Sequence, residues 1–331
     1  MTMVCCPQNP CFTLDGRNGS CVDIHSCPPL ESMLQDFVTK QKRNYVRNNR
    51  CDDLDENRVC CMSCEGILGP PLAGTGCCGV SRTNKKPDTD NAITMIDQYP
   101  WMAIIEKHFL ENQNRMTLCL GSLISSKYVL TIASCVASSR RIPNRVILGE
   151  YNYFTTGPDC VEKEGVKECT DGAIVVPIEK IIVHQNYQLF INRHNIALLR
   201  LQSTIQYSDF IRPICLPTTD IDPDEPQTFY IAGWGKTEEF SVFNIKLHVD
   251  LPSRTMDECK NAFPYIPIWK GLTCSGGVKD RGACDGDKGG PLMLYNGKFF
   301  EAAGIVSYFL PDGCGVENVY NLNINVYEYL P

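Results

Sequence analysis

The chain has 331 residues, 43% hydrophobic and 21% charged, enough apolar material for one large domain or two smaller ones. Its formal net charge of −7 argues against nucleic acid as a partner, because that would need a basic face. No apolar run approaches the ~18 residues of a membrane-spanning helix, and the 20 cysteines imply an oxidising, extracellular setting.

Residues 1–10 (MTMVCCPQNP) lack the basic region and apolar run of a signal peptide, so secretion implies a sequence that begins partway into its precursor. Eleven of the 20 cysteines follow one another at 5, 6, 11, 21, 27, 51, 60, 61, 64, 77 and 78. Little apolar material surrounds them, so disulfides must hold this region together. Zinc would ask for CxxC and CxxH pairs; Cys61 and Cys64 form a CxxC, but the five histidines are scattered, and no zinc site is expected. Asn18-Gly19-Ser20 is an N-glycosylation sequon. LESMLQDFV (30–38) predicts a short helix. KQKRNYVRNNR (40–50) reads as a basic loop: solvated, a cleavage site for a trypsin-like protease, or a contact for an acidic partner. TNKKPDTDN (83–91) reads as a polar linker, with Arg82, Lys85 and Lys86 a second candidate for cleavage.

Beyond the linker the pattern changes. Short β-branched segments at 101–105, 118–124, 129–133, 146–148, 178–183, 196–201, 228–232 and 302–308 alternate with Gly, Pro, Asn and Asp. That spacing predicts an all-β sandwich or barrel architecture. Glu150, Asp159, Glu162, Glu164 and Glu168 crowd one stretch. Hard oxygen ligands suit calcium, which would make Glu150 part of a calcium loop; a solvated acidic loop is the competing reading.

A series of motifs then stands in a fixed order: TMIDQYPWMAII (94–105), CLGSLISSKYVLTIASC (119–135), VILGEYN (146–152), HNIALLRL (194–201), IRPICLP (211–217), AGWGKT (232–237), CDGDKGGPL (284–292), GIVSYF (304–309) and NVYEYLP (325–331). Together they resemble the trypsin-like serine protease family, whose fold is a pair of six-stranded β-barrels with a cleft between them. The resemblance implies the disulfides Cys119–Cys135, Cys160–Cys169, Cys259–Cys274, Cys284–Cys314 and Cys78–Cys215. Upstream, Cys11, Cys21, Cys27, Cys51, Cys60 and Cys61 resemble the arthropod clip domain, which implies Cys11–Cys60, Cys21–Cys51 and Cys27–Cys61. Spacing alone does not choose among the pairings open to six cysteines. The organisation expected is an N-terminal extension (1–10), a clip domain (11–61), a linker with extra cysteines (62–91) and a trypsin-like domain (92–331). Cys5, Cys6, Cys64 and Cys77 are left without assigned partners.

In that family a serine is made nucleophilic by an imidazole that takes its proton, and the imidazole is held by a carboxylate. The resemblance puts Ser134 where the histidine belongs, Asn195 where the aspartate belongs and Lys288 where the serine belongs. His194 precedes Asn195 and is expected to point away from it. Asp287, which in the family receives the ammonium of a newly cut N-terminus, is kept. The matching N-terminus falls at Asp88-Thr89-Asp90-Asn91, too polar to bury readily, with Pro87 where a basic residue should stand. Gly282 occupies the specificity-pocket position that carries aspartate in trypsin-like members.

These substitutions make the chain similar to the non-catalytic clip-domain serine protease homologues of arthropod haemolymph. The resemblance implies a secreted regulator of prophenoloxidase activation and melanization in innate immunity, with prophenoloxidase or clip-domain proteases as protein partners and no cofactor. Two alternatives stand beside it: a venom-like decoy that inhibits the same cascade, and a hydrolase in which Ser134 and Lys288 form a dyad.

Overall fold

The computed structural model describes residues 10–12, 18–27, 30, 34, 40–51, 57–62, 64, 69–71, 73, 76–81, 86–108, 115–137, 142–163, 165–221, 225–235, 244–284, 286–309 and 314–331. They fall into two compact units, Met1–Ile67 with Gly74–Cys77, and Leu68–Ala73 with Cys78–Pro331. Cys5, Cys6 and most of the helix expected over 30–38 lie outside the described residues, as does the Asn18 side chain.

The first unit is an antiparallel sheet of β1 (Pro10–Phe12), β2 (Asn18–Asp23) and β3 (Arg58–Met62), with β2 in the middle, and a helix α1 (Lys40–Asn48). Among the described residues its core consists of Ile24, Cys27, Leu30, Val46 and Val59. The bridges Cys11–Cys60, Cys21–Cys51, Cys27–Cys61 and Cys64–Cys77 close around it. Gly19 is held by close approach, since a Cβ there would lie 2.5 Å from the Cys61 carbonyl oxygen. The basic stretch at 40–50 is not the loop the sequence suggested. Lys, Gln and Arg form helices well, neither Gly nor Pro interrupts them, and Val46 gives the helix a buried anchor.

The second unit is all-β. One closed barrel contains β4 (Met102–His108), β5 (Arg115–Ser125), β6 (Tyr128–Thr131), β7 (Arg145–Leu148), β10 (Ile174–Val183) and β11 (Ala197–Leu201). The other contains β12 (Thr228–Gly233), β13 (Leu247–Arg254), β14 (Leu272–Gly276), β15 (Pro291–Tyr295), β16 (Phe300–Tyr308) and β17 (Tyr320–Asn325). A hairpin of β8 (Cys160–Lys163) and β9 (Val166–Cys169) stands apart as its own two-stranded sheet. Closure removes the sheet edges, and inward side chains fill the interiors. Tyr99, Trp101, Phe300 and Tyr230 meet largely edge-on at the heart of the core.

Several boundaries depart from the sequence reading: β4 runs on to His108, β5 begins at Arg115 and β16 at Phe300, and two further departures have a visible cause. β10 begins at Ile174 rather than 178, because its first residues are mostly exposed and pair with β7 before a bulge at Ile178–Lys180. β6 stops at Thr131, and the chain turns into a one-turn helix α2 (Ala133–Val136) that carries Ser134. A last short helix, α3 (Met256–Ala262), is capped by Thr255 and Glu258 in a reciprocal box. The bridges in this unit are Cys78–Cys215, Cys119–Cys135, Cys160–Cys169, Cys259–Cys274 and Cys284–Cys314. Cys78 thus belongs to the barrel unit itself.

Candidate functional site

Ser134 sits at the solvent side of α2, while Asn195 is fully buried just before β11. The Ser134 N–H donates to Asn195 Oδ1 (2.7 Å), and Asn195 Nδ2 donates to both Ser134 Oγ (3.1 Å) and Ser307 Oγ (3.0 Å). One acceptor and two donors are thus used by a neutral amide. A carboxylate at the same place would be a buried charge with no imidazolium to face. Asn195 therefore suits a site whose other members are two hydroxyls and a peptide N–H. Ser307, supplied by β16 from 112 residues away, is the member that sequence spacing could not assign to this network.

Lys288 stands in a tightly built loop. The Leu120 N–H donates to the Lys288 carbonyl (2.8 Å), the Gly289 N–H to Val306 O (2.9 Å) and the Gly290 N–H to Asp287 O (3.0 Å). Gly289 has φ +85°, and a Cβ there would lie 2.3 Å from the Leu120 carbonyl, so only glycine fits. The Lys288 ammonium lies 4.9 Å from the centroid of the Phe309 ring, a cation–π contact. Among the described residues it makes no hydrogen bond or ion pair, with Ser134 or any other group.

The histidines are occupied elsewhere. His194 turns away from Asn195 through a backbone φ of +54°, not through strand alternation, because it lies in a turn ahead of β11. Its ring stacks on His184 at 4.9 Å and meets Trp269 and Tyr329. Burial, followed by the charges of His184 and Arg193, holds the His194 pKa below the usual value. His248 is buried, bridging Tyr99 Oη (2.9 Å) and the Asn91 carbonyl (3.0 Å), and burial lowers its pKa too.

Beside the Lys288 loop lies a cavity of about 550 Å³, lined by Thr89, Asp90, Ile93, Gly282, Asp287 and Gly315 among others. Asp287 Oδ2 accepts the Cys284 N–H (2.8 Å), and its other oxygen faces Gly233 and Gly235. Gly282 is backed by Gly315, whose nitrogen would lie 2.6 Å from any Cβ added there, so this pocket position carries no charge. Tyr308 packs edge-on against Phe263, and Phe309 is buried beneath Lys288.

The segment that begins at Asp88 is fastened along this cavity. Thr89 Oγ1 donates to Asp250 (2.6 Å), and Arg281 bridges Asp250 and Asp90. His248 N–H donates to Ala92 O, and Ile93 and Thr94 pair with Leu247 and Lys246. The Arg281 bridge is not legible in the sequence, because its three members come from three separate segments.

Glu150 is buried and acts with Asp97 on Lys246, which is itself buried. Burial pushes the Lys246 ammonium down to about 8, against the pull of those two carboxylates. Glu150 also accepts the Tyr151 N–H, and Asp159 accepts the Asn152 N–H and the Thr155 hydroxyl. The carboxylate expected in a calcium loop is thus buried within reach of the charge of an internal lysine. Among the described residues the group of candidate metal ligands within common reach is Cys11, Cys21 and Cys51, all in disulfides.

Comparisons with known proteins place this geometry. A trypsin family profile matches residues 93–331, and the profile of the regulatory CLIP domain of proteinases matches residues 11–61. The chain is 39% identical to the phenoloxidase-activating enzyme of Bombyx mori, covering 99% of this chain and 82% of that one. It is 32% identical to Melanization protease 1 of Drosophila melanogaster, over 97% of this chain and 91% of that one. The crystal structure of the Drosophila Grass clip serine protease of the Toll pathway superposes with a TM-score of 0.66 at 28% identity, covering 97% and 95% of the two chains. With a clip module followed by a double β-barrel, the chain belongs to the clip-domain serine proteases of trypsin-like fold.

Proposed function

We propose that the chain is a secreted, catalytically silent regulator of an extracellular clip-protease cascade, acting on prophenoloxidase activation and melanization by binding proteins. The observation that carries this reading is the Asn195 network, in which a neutral amide joins Ser134 and Ser307 where a proton relay would need an imidazole. A hydroxyl cannot take a proton from a nucleophile at neutral pH, and the nucleophile position offers an ammonium over an aromatic ring. The names of the relatives support the cascade, and the nine disulfides among the described residues support secretion.

The test is incubation with a fluorophosphonate probe beside broad peptide and ester substrates, before and after limited trypsin treatment. Neither labelling nor turnover is expected. Labelling at Ser134 that disappears in Lys288→Ala would replace this reading with the dyad hydrolase.

A second reading, an inhibitory decoy, is favoured by the Lys86–Pro87 sequence, which sets a proline after the basic residue nearest the fastened segment. Adding the purified chain to an active melanization assay separates the two by sign: pigment formation rises for a cofactor and falls for a decoy.

A further inference from the structure

The helix α1 carries Lys40, Lys42, Arg43 and Arg47 and no acidic residue, in a chain whose net charge is −7. Arg43 and Arg47 are exposed and stand one turn apart, while Val46 and Asn49 face inward and are buried. Among the described residues neither arginine side chain has a hydrogen-bond or ion-pair partner. Like charges at this spacing destabilise a helix, so local stability gives no account of the pair. The helix is also rigidly mounted: Val46 is in the clip core, the Asn49 carbonyl accepts the Cys60 N–H, and Cys51 is bridged to Cys21. A cut after Arg43 or Arg47 would require this helix to unwind and Val46 to leave the core, whereas nicking favours exposed loop tips.

We propose that the Arg43–Arg47 face of α1 is a docking surface for an extended acidic segment of a protein partner. It names the partner chemistry of the regulator reading above and rests on it. Guanidinium forks match carboxylates in a bidentate fashion, and a pair of arginines without a partner among the described residues, on a helix anchored by Val46, needs little ordering on binding. The spacing also fits. Four helical residues advance about 6 Å, and two residues of extended chain advance about 6.6 Å. Alternate acidic residues on an extended segment can therefore meet the two arginines in register.

The experiment measures binding of the full-length chain to a fluorescent peptide of alternating Glu and Ser, with a Gln-Ser peptide as control and a heparin fragment as competitor. The wild type is expected to bind the Glu peptide and not the Gln peptide, with affinity falling as salt rises. Arg43→Glu/Arg47→Glu should lose about tenfold or more, and the milder Arg43→Gln/Arg47→Gln should lose part of that. Disulfide mapping of both variants checks that the clip module is intact. Equal binding by wild type and variants overturns the proposal. So does heparin binding without peptide binding, which would mark a sulfated-glycan surface. The two readings fail separately. A variant that keeps its effect on melanization, with no peptide bound by the wild type, removes this inference and leaves the regulator. Fluorophosphonate labelling removes the silent regulator without touching the peptide result.

Discussion

Among the described residues, Ile24, Cys27, Leu30, Val46 and Val59 make up the core of the clip unit, whereas the barrels share a continuous apolar cluster from Tyr99 to Val326. The clip unit sets four bridges around those five residues; the barrel unit has five bridges around a core several times larger. A module this small cannot bury enough apolar area to offset chain entropy, so its stability resides in covalent links. The barrels rest on packing, with their disulfides secondary. Mutations in the two units should therefore fail in different ways.

The largest effect is expected in the barrels. Trp101 is fully buried among Tyr99 and Phe300, and Trp101→Ala should cost toward 5 kcal/mol through lost packing and a cavity. Thermal unfolding followed by tryptophan fluorescence reads it, and the clip disulfides should stay intact. If the clip module became protease-sensitive as well, the two units would not be separate in stability.

Removing Cys27–Cys61 with a double alanine variant tests the opposite side. The bridge spans 34 residues, so its loss should cost about 4 kcal/mol by chain entropy. Limited trypsin treatment with mass mapping should then show cuts at Arg43 and Arg47 while the barrels resist. Resistance at both arginines would mean that packing, not the bridge, holds the clip unit.

Within the barrels, Asn195→Ala should cost about 1–3 kcal/mol, because the Ser134 N–H loses its acceptor and two hydroxyls lose a donor. A denaturant midpoint unchanged by this substitution would remove the argument that the amide is a structural keystone of the altered site.

The smallest effect concerns pH. Folded Lys246 has its pKa lowered from 10.5 to about 8, chiefly by burial. From pH 8 to about 9.5 the unfolded chain binds more protons at this site than the folded one, so stability should rise with pH in that window. The gain over that window is about 1.5 kcal/mol, and Lys246→Met should flatten it. A falling curve in the wild type would contradict the buried-lysine assignment.

Much of the fold was legible because barrels and turns impose local patterns. Short β-branched runs, the glycines of the Lys288 loop and the ordered motifs each report a constraint that a few adjacent residues satisfy. Helix α1 is hidden in the sequence because a run of cations looks solvated, and only the burial of Val46 reveals which face is inward. The start of β10 was missed because exposed residues do not alternate visibly. The Ser134–Asn195–Ser307 network and the Asp90–Arg281–Asp250 bridge join residues far apart in the chain, and no spacing rule finds such partners.

The amino-acid sequence by itself determined the class of fold and the clip and barrel modules, and its resemblance to the family points to Ser134, Asn195 and Lys288 as the three positions to inspect. Tertiary structure alone decided what surrounds those residues: an amide shared between two hydroxyls, an ammonium laid over Phe309, and the segment from Asp88 fastened by Arg281. The physical reason is range. Backbone preference and hydrophobic period act over a few residues, whereas hydrogen bonding and charge pairing depend on which distant segments the folded core brings within about 3–4 Å.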